Sequence, residues 1–278
     1  AFLLSTAPVP VASRLAGGPT PIQYPHNTDL LFNGTTVHGF VTSHDGHLYF
    51  EDDTRARFWG VNLVDKMCFL TADQVDSLID VLKASGANMV RLHLMDAHLS
   101  QSLIDYSSGN TSKLNDDMLA RLDYLLYKCR VAGIYVYLDL LDGREFLESD
   151  GVVNASKLGP EAKVISIFDD HLIELQKQYA TNLLTHVNPY TGLALVDDPT
   201  IAVVEITNEN GMFWDLLGDV KGWAGIPEPY YSELKSKWND WLVQEYGTRQ
   251  NLDNTWVDHY GTHGLLADED PTAGTVRL

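Results

Sequence analysis

The residues best suited to acid–base chemistry follow one apolar stretch. In "IAVVEITNEN", residues 201–210, four apolar residues lead to Glu205, and Asn208, Glu209 and Asn210 close the stretch. A strand that only has to pack gains nothing from a carboxylate between two amides. Glycosidic oxygen leaves poorly unless a carboxylic acid protonates it, and a second carboxylate must then act on the other face of the sugar. The pattern indicates Glu209 as such an acid, with a solvated or helix-capping glutamate as the alternative interpretation.

The elements that could position Glu209 alternate along the chain. Apolar runs with the length of strands occur four times, and each is followed by a segment with helical periodicity. Alternation of this kind predicts βαβ units and a parallel sheet. The strand-like runs are "RFWGVNL" from Arg57, "NMVRLHL" from Asn88, "IYVYLDLL" from Ile134 and "IAVVEITNE" from Ile201, and the helical segments begin near Thr71, Asp116, Asp169 and Ser232.

The two faces of the later strands differ in polarity. One face is apolar and suits packing against helices, whereas the other becomes polar toward the C-terminal end. A doubly wound sheet, with helices on both faces, favours apolar residues on both, and the sequence contains no glycine-rich phosphate loop. We therefore predict an α/β fold of the (β/α)8 TIM-barrel type, with about four βα units present. The polar faces carry Arg91, His93, Tyr137, Asp139, Glu205, Thr207 and Glu209.

A hairpin and an irregular lead-in precede the barrel strands. Residues 1–29 are rich in Pro, Gly, Ser and Thr, and Asp45-Gly46 divides an alternating stretch into two short strands. We predict two units: residues 1–56, which hold the lead-in and its β-hairpin, and residues 57–278, the N-terminal half of a (β/α)8 catalytic barrel.

The composition limits the classes of partner. The 278 residues are 45% hydrophobic and carry a formal net charge of −19. A negative field of this size repels nucleic acid but does not oppose a neutral oligo- or polysaccharide. No apolar run reaches transmembrane length, so we expect no membrane partner. Cys68 and Cys129 are expected on opposite faces of the fold, which argues against a disulfide between them.

Several segments resemble a known family of enzymes. "RFWGVNL", "ANMVRLH", "GIYVYLDL" and "DPTIAVVEITNEN" resemble the first four strand motifs of clan A glycoside hydrolases, and most closely the family-five, cellulase-like group. The Asn-Glu pair that ends the fourth strand is the acid/base signature of that clan. The resemblance runs from about Thr36 to Tyr246. It implies a retaining glycoside hydrolase that acts on a β-linked glycan and uses no cofactor.

The resemblance also implies roles for individual residues. Glu209 corresponds to the general acid/base, and Asn208 would hydrogen-bond the sugar 2-hydroxyl, an interaction that strengthens in the transition state. Arg91 would orient the nucleophilic carboxylate and hold it ionised. Pairing of Arg91 with Glu205 or Asp139 inside the barrel is a structural role that is compatible with this one.

Further substrate contacts are expected from one histidine and two tryptophans. In the family a His often follows "LDL", whereas Leu141 stands here, and His93 on the second strand is the candidate for a comparable contact. Trp214 and Trp223 follow the fourth strand and could stack on sugar rings, or equally anchor their own loop by packing. Trp59, within the first strand, is expected in the core.

A metal site is not expected. His93, Asp96 and His98 lie close together in "RLHLMDAH", but the stretch lacks the H-E-x-x-H order and any partner cluster. A metal-dependent barrel hydrolase is therefore a minor alternative.

The sequence supplies only part of the expected catalytic pair. In the clan the nucleophilic Glu ends the seventh barrel strand, and no second Asn-Glu-like strand end follows Glu209. Four strands alone would leave two open edges. We therefore expect a complementary C-terminal half-barrel, from the same gene product or a second chain, and no activity without it. An extracellular or secreted enzyme is expected; a non-catalytic carbohydrate-binding or assembly module on the same scaffold is the alternative.

Overall fold

A β-hairpin opens the part of the chain that the computed structural model describes, which comprises residues 38–159, 161–211 and 225–278. Strand β1 (Val41–His44) pairs antiparallel with β2 (His47–Phe50). Asp45 and Gly46 form the turn with φ values of 50° and 75°, the left-handed conformation that two-residue hairpin turns favour. The predicted hairpin is confirmed, and residues 1–29 lie outside the described ranges.

The main sheet contains four parallel strands in sequence order. They are β3 (Gly60–Val64), β4 (Met89–His93), β5 (Tyr135–Asp139) and β6 (Ile201–Glu205). The helices that follow them are α1 (Ala72–Ser85), α2 (Asp116–Ala132), α3 (Glu161–Ile165), α4 (Asp170–Leu184), α5 (Tyr230–Tyr246) and α6 (Arg249–Thr255). The predicted fold class is confirmed: four βα units of the TIM-barrel type follow an N-terminal hairpin. The division into residues 1–56 and 57–278 stays a prediction.

Local signals in the sequence set the ends of the first two long helices. The side chain of Gln74 accepts a hydrogen bond from the backbone N–H of Thr71 at the start of α1, and Gly86 ends the helix with φ 76°. At the start of α2, the side chain of Asn115 accepts from two backbone N–H groups of the first turn, and Gly133 ends the helix with φ 69°. These caps satisfy backbone groups that a helix terminus leaves unpaired.

The two faces of the sheet are covered differently. Val90, Leu92, Val136 and Leu138 on the outer face are fully buried in the main core, which they share with α1 and α2. On the inner face, Phe50 of the hairpin packs with Met89 and Tyr135 at the N-terminal end of the strands. These apolar side chains fill the N-terminal end of the inner face, so the polar side chains of that face lie at the C-terminal end of the strands, as the alternation predicts.

The first barrel strand is shorter than predicted. It begins at Gly60 rather than Arg57, because the side chain of Asn88 occupies the backbone groups before it. Asn88 Oδ1 accepts from the Trp59 N–H over 2.5 Å, and Asn88 Nδ2 donates to the Arg57 carbonyl over 2.8 Å. The expectation that Trp59 packs in the core is wrong: the residue is 70% exposed at the edge of the sheet.

The fourth barrel strand also differs from the prediction. It ends at Glu205, so Glu209 lies four residues beyond the strand and has a left-handed φ of 46°. Val204 and Ile206, which were expected to pack under a helix, are 39% and 75% exposed. The reason is that α5 packs elsewhere: its Tyr230 and Leu234 join a second core cluster with residues of α3, α4 and the loop before α3.

The two cysteines behave as expected. Cys68 and Cys129 are both buried and free, so no disulfide joins them. Burial raises the pKa of each thiol to about 12, which makes both poor nucleophiles near neutral pH. Within the described ranges, no helix combines the length and apolar character needed to cross a membrane.

Candidate active site

Arg91 lies at the centre of a charged cluster on the inner face of the sheet. Its Nη2 is 2.7 Å from Glu205 Oε2 and 2.8 Å from Asn208 Oδ1. The same nitrogen is 2.8 Å from Asp139 Oδ2, while Nε donates to Asp139 Oδ1 over 3.2 Å. The ring of Tyr137 lies 5.4 Å from the guanidinium carbon. One side chain of β4 thus joins β5, β6 and the segment after β6, because a guanidinium offers several donors in one plane.

Burial and charge pairing act in opposite directions on the two carboxyl groups of this cluster. Burial raises the pKa of Asp139, although His93 and Arg91 offset part of the shift. Burial also favours the neutral form of Glu205, but the hydrogen bond from Arg91 and the charge of Arg91 outweigh it and lower its pKa. Glu205 and Arg91 therefore form an ion pair, whereas burial makes Asp139 easier to protonate than a free aspartate.

His93 lies between two buried carboxylates. Its Nδ1 is 2.8 Å from Asp139 Oδ2 and 3.2 Å from Asp142 Oδ1, and both aspartate side chains are almost completely inaccessible. Asp142 Oδ2 accepts from the backbone N–H of Leu94 over 2.7 Å, whereas its Oδ1 is buried without a hydrogen bond. Burial raises the pKa of Asp142 to about 6, with a further contribution from the charge of Asp139.

Asn208 is held by its backbone and its side chain. Its N–H donates to the Leu141 carbonyl over 2.9 Å, and its Oδ1 accepts from Arg91. Since a guanidinium can only donate, this contact fixes the oxygen of the amide toward Arg91 and turns Nδ2 away from it. The orientation leaves the Nδ2 donor available to another group.

Glu209 is exposed and lines a cavity of about 520 Å³. The other walls come from the loop between β5 and α3 and from α3 itself, with two further carboxylates, Asp142 and Glu145, on the lining. The cavity lies at the C-terminal end of the strands, where barrel enzymes place their catalytic groups.

Asp96, in the loop after β4, holds the loop after β5 that lines the cavity. Its carboxylate accepts from three consecutive backbone N–H groups, those of Asp142, Gly143 and Arg144, over 3.0 to 3.2 Å. Burial raises the pKa of Asp96 to about 6, although these three hydrogen bonds favour the ionised form. The loop after β4 thereby fixes the start of the loop after β5.

The structure brings together some of the predicted site residues and leaves others aside. Arg91, His93 and Asn208 belong to one connected cluster, and Glu209 follows Asn208 directly in the chain. Leu141 is buried and lines the cavity. Trp214 and Trp223 lie outside the described residues.

The three residues of the minor metal alternative, His93, Asp96 and His98, do not converge. Asp96 binds backbone N–H groups, and His98 Nδ1 lies 2.5 Å from Glu145 Oε2. The atoms that do converge belong to His93, Asp139 and Asp142, within 4.8 Å of one another. A cation there would compete with Arg91 and His93 for Asp139 Oδ2, so the donor set suits a proton better than a metal.

Sequence reasoning missed Asp142 and the function of Asp96 as a loop staple. Asp142 stands three residues after Asp139 in "LDLLDGR", just beyond the predicted strand. A carboxylate immediately after a barrel strand is a signal for the mouth of the barrel, and it would have identified Asp142. Nothing in the spacing indicates that Asp96 accepts from the next loop.

Comparisons with known proteins give two kinds of relative. No family model matches the chain. The "Mannan endo-1,4-beta-mannosidase 4" of Oryza sativa subsp. japonica is 26% identical over 194 residues, which are 65% of this chain and 40% of that protein. The crystal structure of an endo-1,4-beta-mannanase from Rhizomucor miehei is 20% identical with a TM-score of 0.51, over 74% of this chain and 58% of that one. A glycoside hydrolase family 5 mannosidase from the same organism is 14% identical with a TM-score of 0.49, over 74% of this chain and 53% of that one.

The first two of these relatives confirm the predicted resemblance. The chain is similar in sequence to a mannosidase and shares its fold with a mannanase, as expected for a likeness to the family-five, cellulase-like group of clan A. The chain spans less than two thirds of the length of each of these relatives.

Proposed function

We propose that this chain carries the acid/base part of a retaining glycoside hydrolase that acts on a β-1,4-mannan. The observation that carries the proposal is the contact of Arg91 with Asn208, which orients the amide next to Glu209 at the C-terminal end of the sheet. The similarity to a mannan endo-1,4-beta-mannosidase supports the choice of mannan among β-linked glycans. A polysaccharide substrate of this kind also favours an extracellular or secreted enzyme.

In this proposal Glu209 is the proton donor. Its position on the wall of an open cavity gives a glycosidic oxygen access to the carboxyl group. Nδ2 of Asn208 donates to the 2-hydroxyl of the sugar, because Oδ1 is already committed to Arg91. His93 supplies a further hydroxyl contact, and Trp214 and Trp223 supply stacking surfaces.

The second catalytic carboxylate comes from outside the described residues. Retaining chemistry requires a nucleophile roughly 5 Å from the acid/base, on the opposite side of the sugar. Among the described residues, the carboxylates that share the cavity with Glu209 are Asp142 and Glu145. Asp142 is buried against Leu94 and His93, and Glu145 is paired with His98. We propose that a complementary half-barrel, in the same polypeptide or in a second chain, supplies the nucleophile to which Arg91 also extends.

The substitution Glu209→Gln in the full-length enzyme tests the acid role. A good leaving group needs little protonation, so activity should fall by about 10²-fold or more on mannan and much less on an activated aryl mannoside. The matched control is Glu145→Gln, which changes a carboxylate of the same cavity and should leave both activities close to the wild-type values. Equal losses on both substrates for Glu209→Gln would refute the role.

One observation favours a second candidate function, a carbohydrate-binding module without turnover. Among the described residues, the other carboxylates on the cavity that Glu209 lines are Asp142 and Glu145. Asp142 is buried, and Glu145 is paired with His98. Calorimetric binding of mannohexaose without release of reducing sugar by the full-length protein would support this alternative.

A further inference from the structure

The imidazole of His93 has one nitrogen between two acceptors. Nδ1 faces Asp139 Oδ2 at 2.8 Å and Asp142 Oδ1 at 3.2 Å. Carboxylates accept hydrogen bonds when ionised, so the neutral ring keeps its proton on Nδ1 at this position. Nε2 then carries a lone pair, and it has no hydrogen-bond partner among the described residues.

The two aspartates do not contribute equally to this arrangement. Asp139 Oδ2 forms the hydrogen bond with His93, and Arg91 holds the same carboxylate through Nε on Oδ1 and Nη2 on Oδ2. Asp142 is tied by its Oδ2 to the Leu94 N–H, and its Oδ1 forms no hydrogen bond with the ring. The orientation of the imidazole therefore depends on Asp139.

We infer that Asp139 is a positioning residue that holds His93 in the Nδ1–H tautomer, so that Nε2 accepts a hydrogen bond from a hydroxyl group of the bound sugar. This inference rests on the proposed function for its ligand, while the tautomer itself can be observed without a ligand. A buried carboxylate that fixes the tautomer of a functional histidine is a common device in active sites.

A variant without the Asp139 carboxylate makes the inference testable. The test variant therefore has to be Asp139→Ala rather than an amide, because Arg91 donates to both oxygens of Asp139 and an asparagine NH₂ group would face a guanidinium donor in either orientation. Asp139→Ala removes the acceptor that the Nδ1–H group of His93 faces. The neutral ring then loses the partner of Nδ1–H, and we expect the proton to move to Nε2, which would turn the hydroxyl acceptor into a donor.

The experiment is ¹⁵N NMR of histidine-labelled 278-residue chain at a pH where imidazole is neutral. The variant His93→Gln identifies the signal of His93, and the amide spectrum of each variant shows whether it is folded. We expect the Nδ1–H tautomer in the wild type and the Nε2–H tautomer in Asp139→Ala. The matched control is Asp142→Asn, which removes a buried charge beside the same nitrogen and should leave the tautomer unchanged.

Three results would overturn the inference: an Nε2–H tautomer in the wild type, an unchanged tautomer in folded Asp139→Ala, or a change in Asp142→Asn as well. The first of these results would overturn it even if Asp139→Ala does not fold. Calorimetry with mannohexaose adds the ligand, and we expect the affinity to fall roughly tenfold in Asp139→Ala. Absence of mannohexaose binding by wild-type chain with the expected tautomer would count against the proposed function and still support the Asp139–His93 assignment.

Discussion

Arg91 is the residue on which the cluster depends most. Among the residues that the structure describes, Arg91 is the cation that contacts Asp139, Glu205 and Asn208 together. The Asp139 side chain is 0% exposed and that of Glu205 is 23% exposed, so neither carboxylate is fully hydrated. Removal of the guanidinium would leave two partly or fully buried negative charges without their partner, which is a more costly change than the loss of one hydrogen bond.

We expect Arg91→Met to lower the free energy of unfolding at pH 7 by about 3 kcal/mol, as measured by urea denaturation of the 278-residue chain. The stability loss should shrink as the pH falls. Because the pKa of Glu205 is lowered in the folded chain, the stabilisation by the Arg91–Glu205 pair is fully present above the pKa that Glu205 has in the unfolded chain, and it is lost as the carboxyl group is protonated.

A control outside the cluster separates stability from binding. Arg130 Nη1 is 2.6 Å from Asp198 Oδ1, and that aspartate side chain is 5% exposed. Arg130→Met should therefore also destabilise the chain, yet leave the affinity of the full-length enzyme for mannohexaose unchanged, whereas Arg91→Met should reduce it. Equal affinities in the two variants would refute a role for Arg91 in the site.

At the scale of elements, Asp96 fixes the loop after β5, which lines the cavity, to the loop after β4. Its carboxylate accepts from three backbone N–H groups of the second loop. In addition, Tyr106 of the first loop donates to the Asp96 carbonyl and accepts from the Glu145 N–H. The part of the wall that the loop after β5 forms is therefore fixed by hydrogen bonds from the neighbouring loop.

The variant Asp96→Asn should loosen this wall. An amide cannot accept three hydrogen bonds in the same geometry, so the N–H groups of residues 142–144 should exchange faster with deuterium. Asp96 and Asp142 have raised pKa values, so the folded chain binds more protons than the unfolded chain between about pH 4 and 6. Their contribution to the stability of the wild type should therefore fall as the pH rises from about 4 to 6. Asp96→Asn should make that slope shallower.

Asp105→Asn provides the control for the loop experiment. Asp105 accepts from the Ser107 N–H in the exposed part of the loop after β4. Its substitution should leave exchange at residues 142–144 and the slope between pH 4 and 6 unchanged. Unchanged exchange in Asp96→Asn would show that the staple does not hold the second loop.

The sequence predicted elements where the signal is local and failed where a distant contact decides. Gly86 and Gly133 end their helices as expected, since a left-handed C-terminal residue favours glycine. The predicted start of the first strand, Arg57, is three residues before the observed one. The side chain of Asn88, 29 residues after Trp59 in the chain, hydrogen-bonds the backbone groups of Arg57 and Trp59 that would otherwise pair with a neighbouring strand. Asn208 and Glu209 were recognised by type and order, but alternation could not predict that the strand ends at Glu205.

For the whole molecule, the open edges of the sheet are the main feature. Within residues 38–159, 161–211 and 225–278, β3 and β6 each pair with one neighbour only. Val204 and Ile206 beside the β6 edge are exposed, and so is Trp59 beside β3. Further barrel strands would pair with the two open edges, and further helices would cover the exposed apolar side chains of the outer face.

The division of the two catalytic carboxylates between Glu209 and a residue elsewhere is tested most directly by the 278-residue chain alone. Release of reducing sugar from mannohexaose should be measured for the purified wild-type chain, for its Glu209→Gln variant and for the full-length enzyme. We expect no release by either form of the isolated chain, and release that depends on Glu209 by the full-length enzyme. Turnover by the isolated wild-type chain that disappears in Glu209→Gln would contradict the division, because both carboxylates would then lie within these residues.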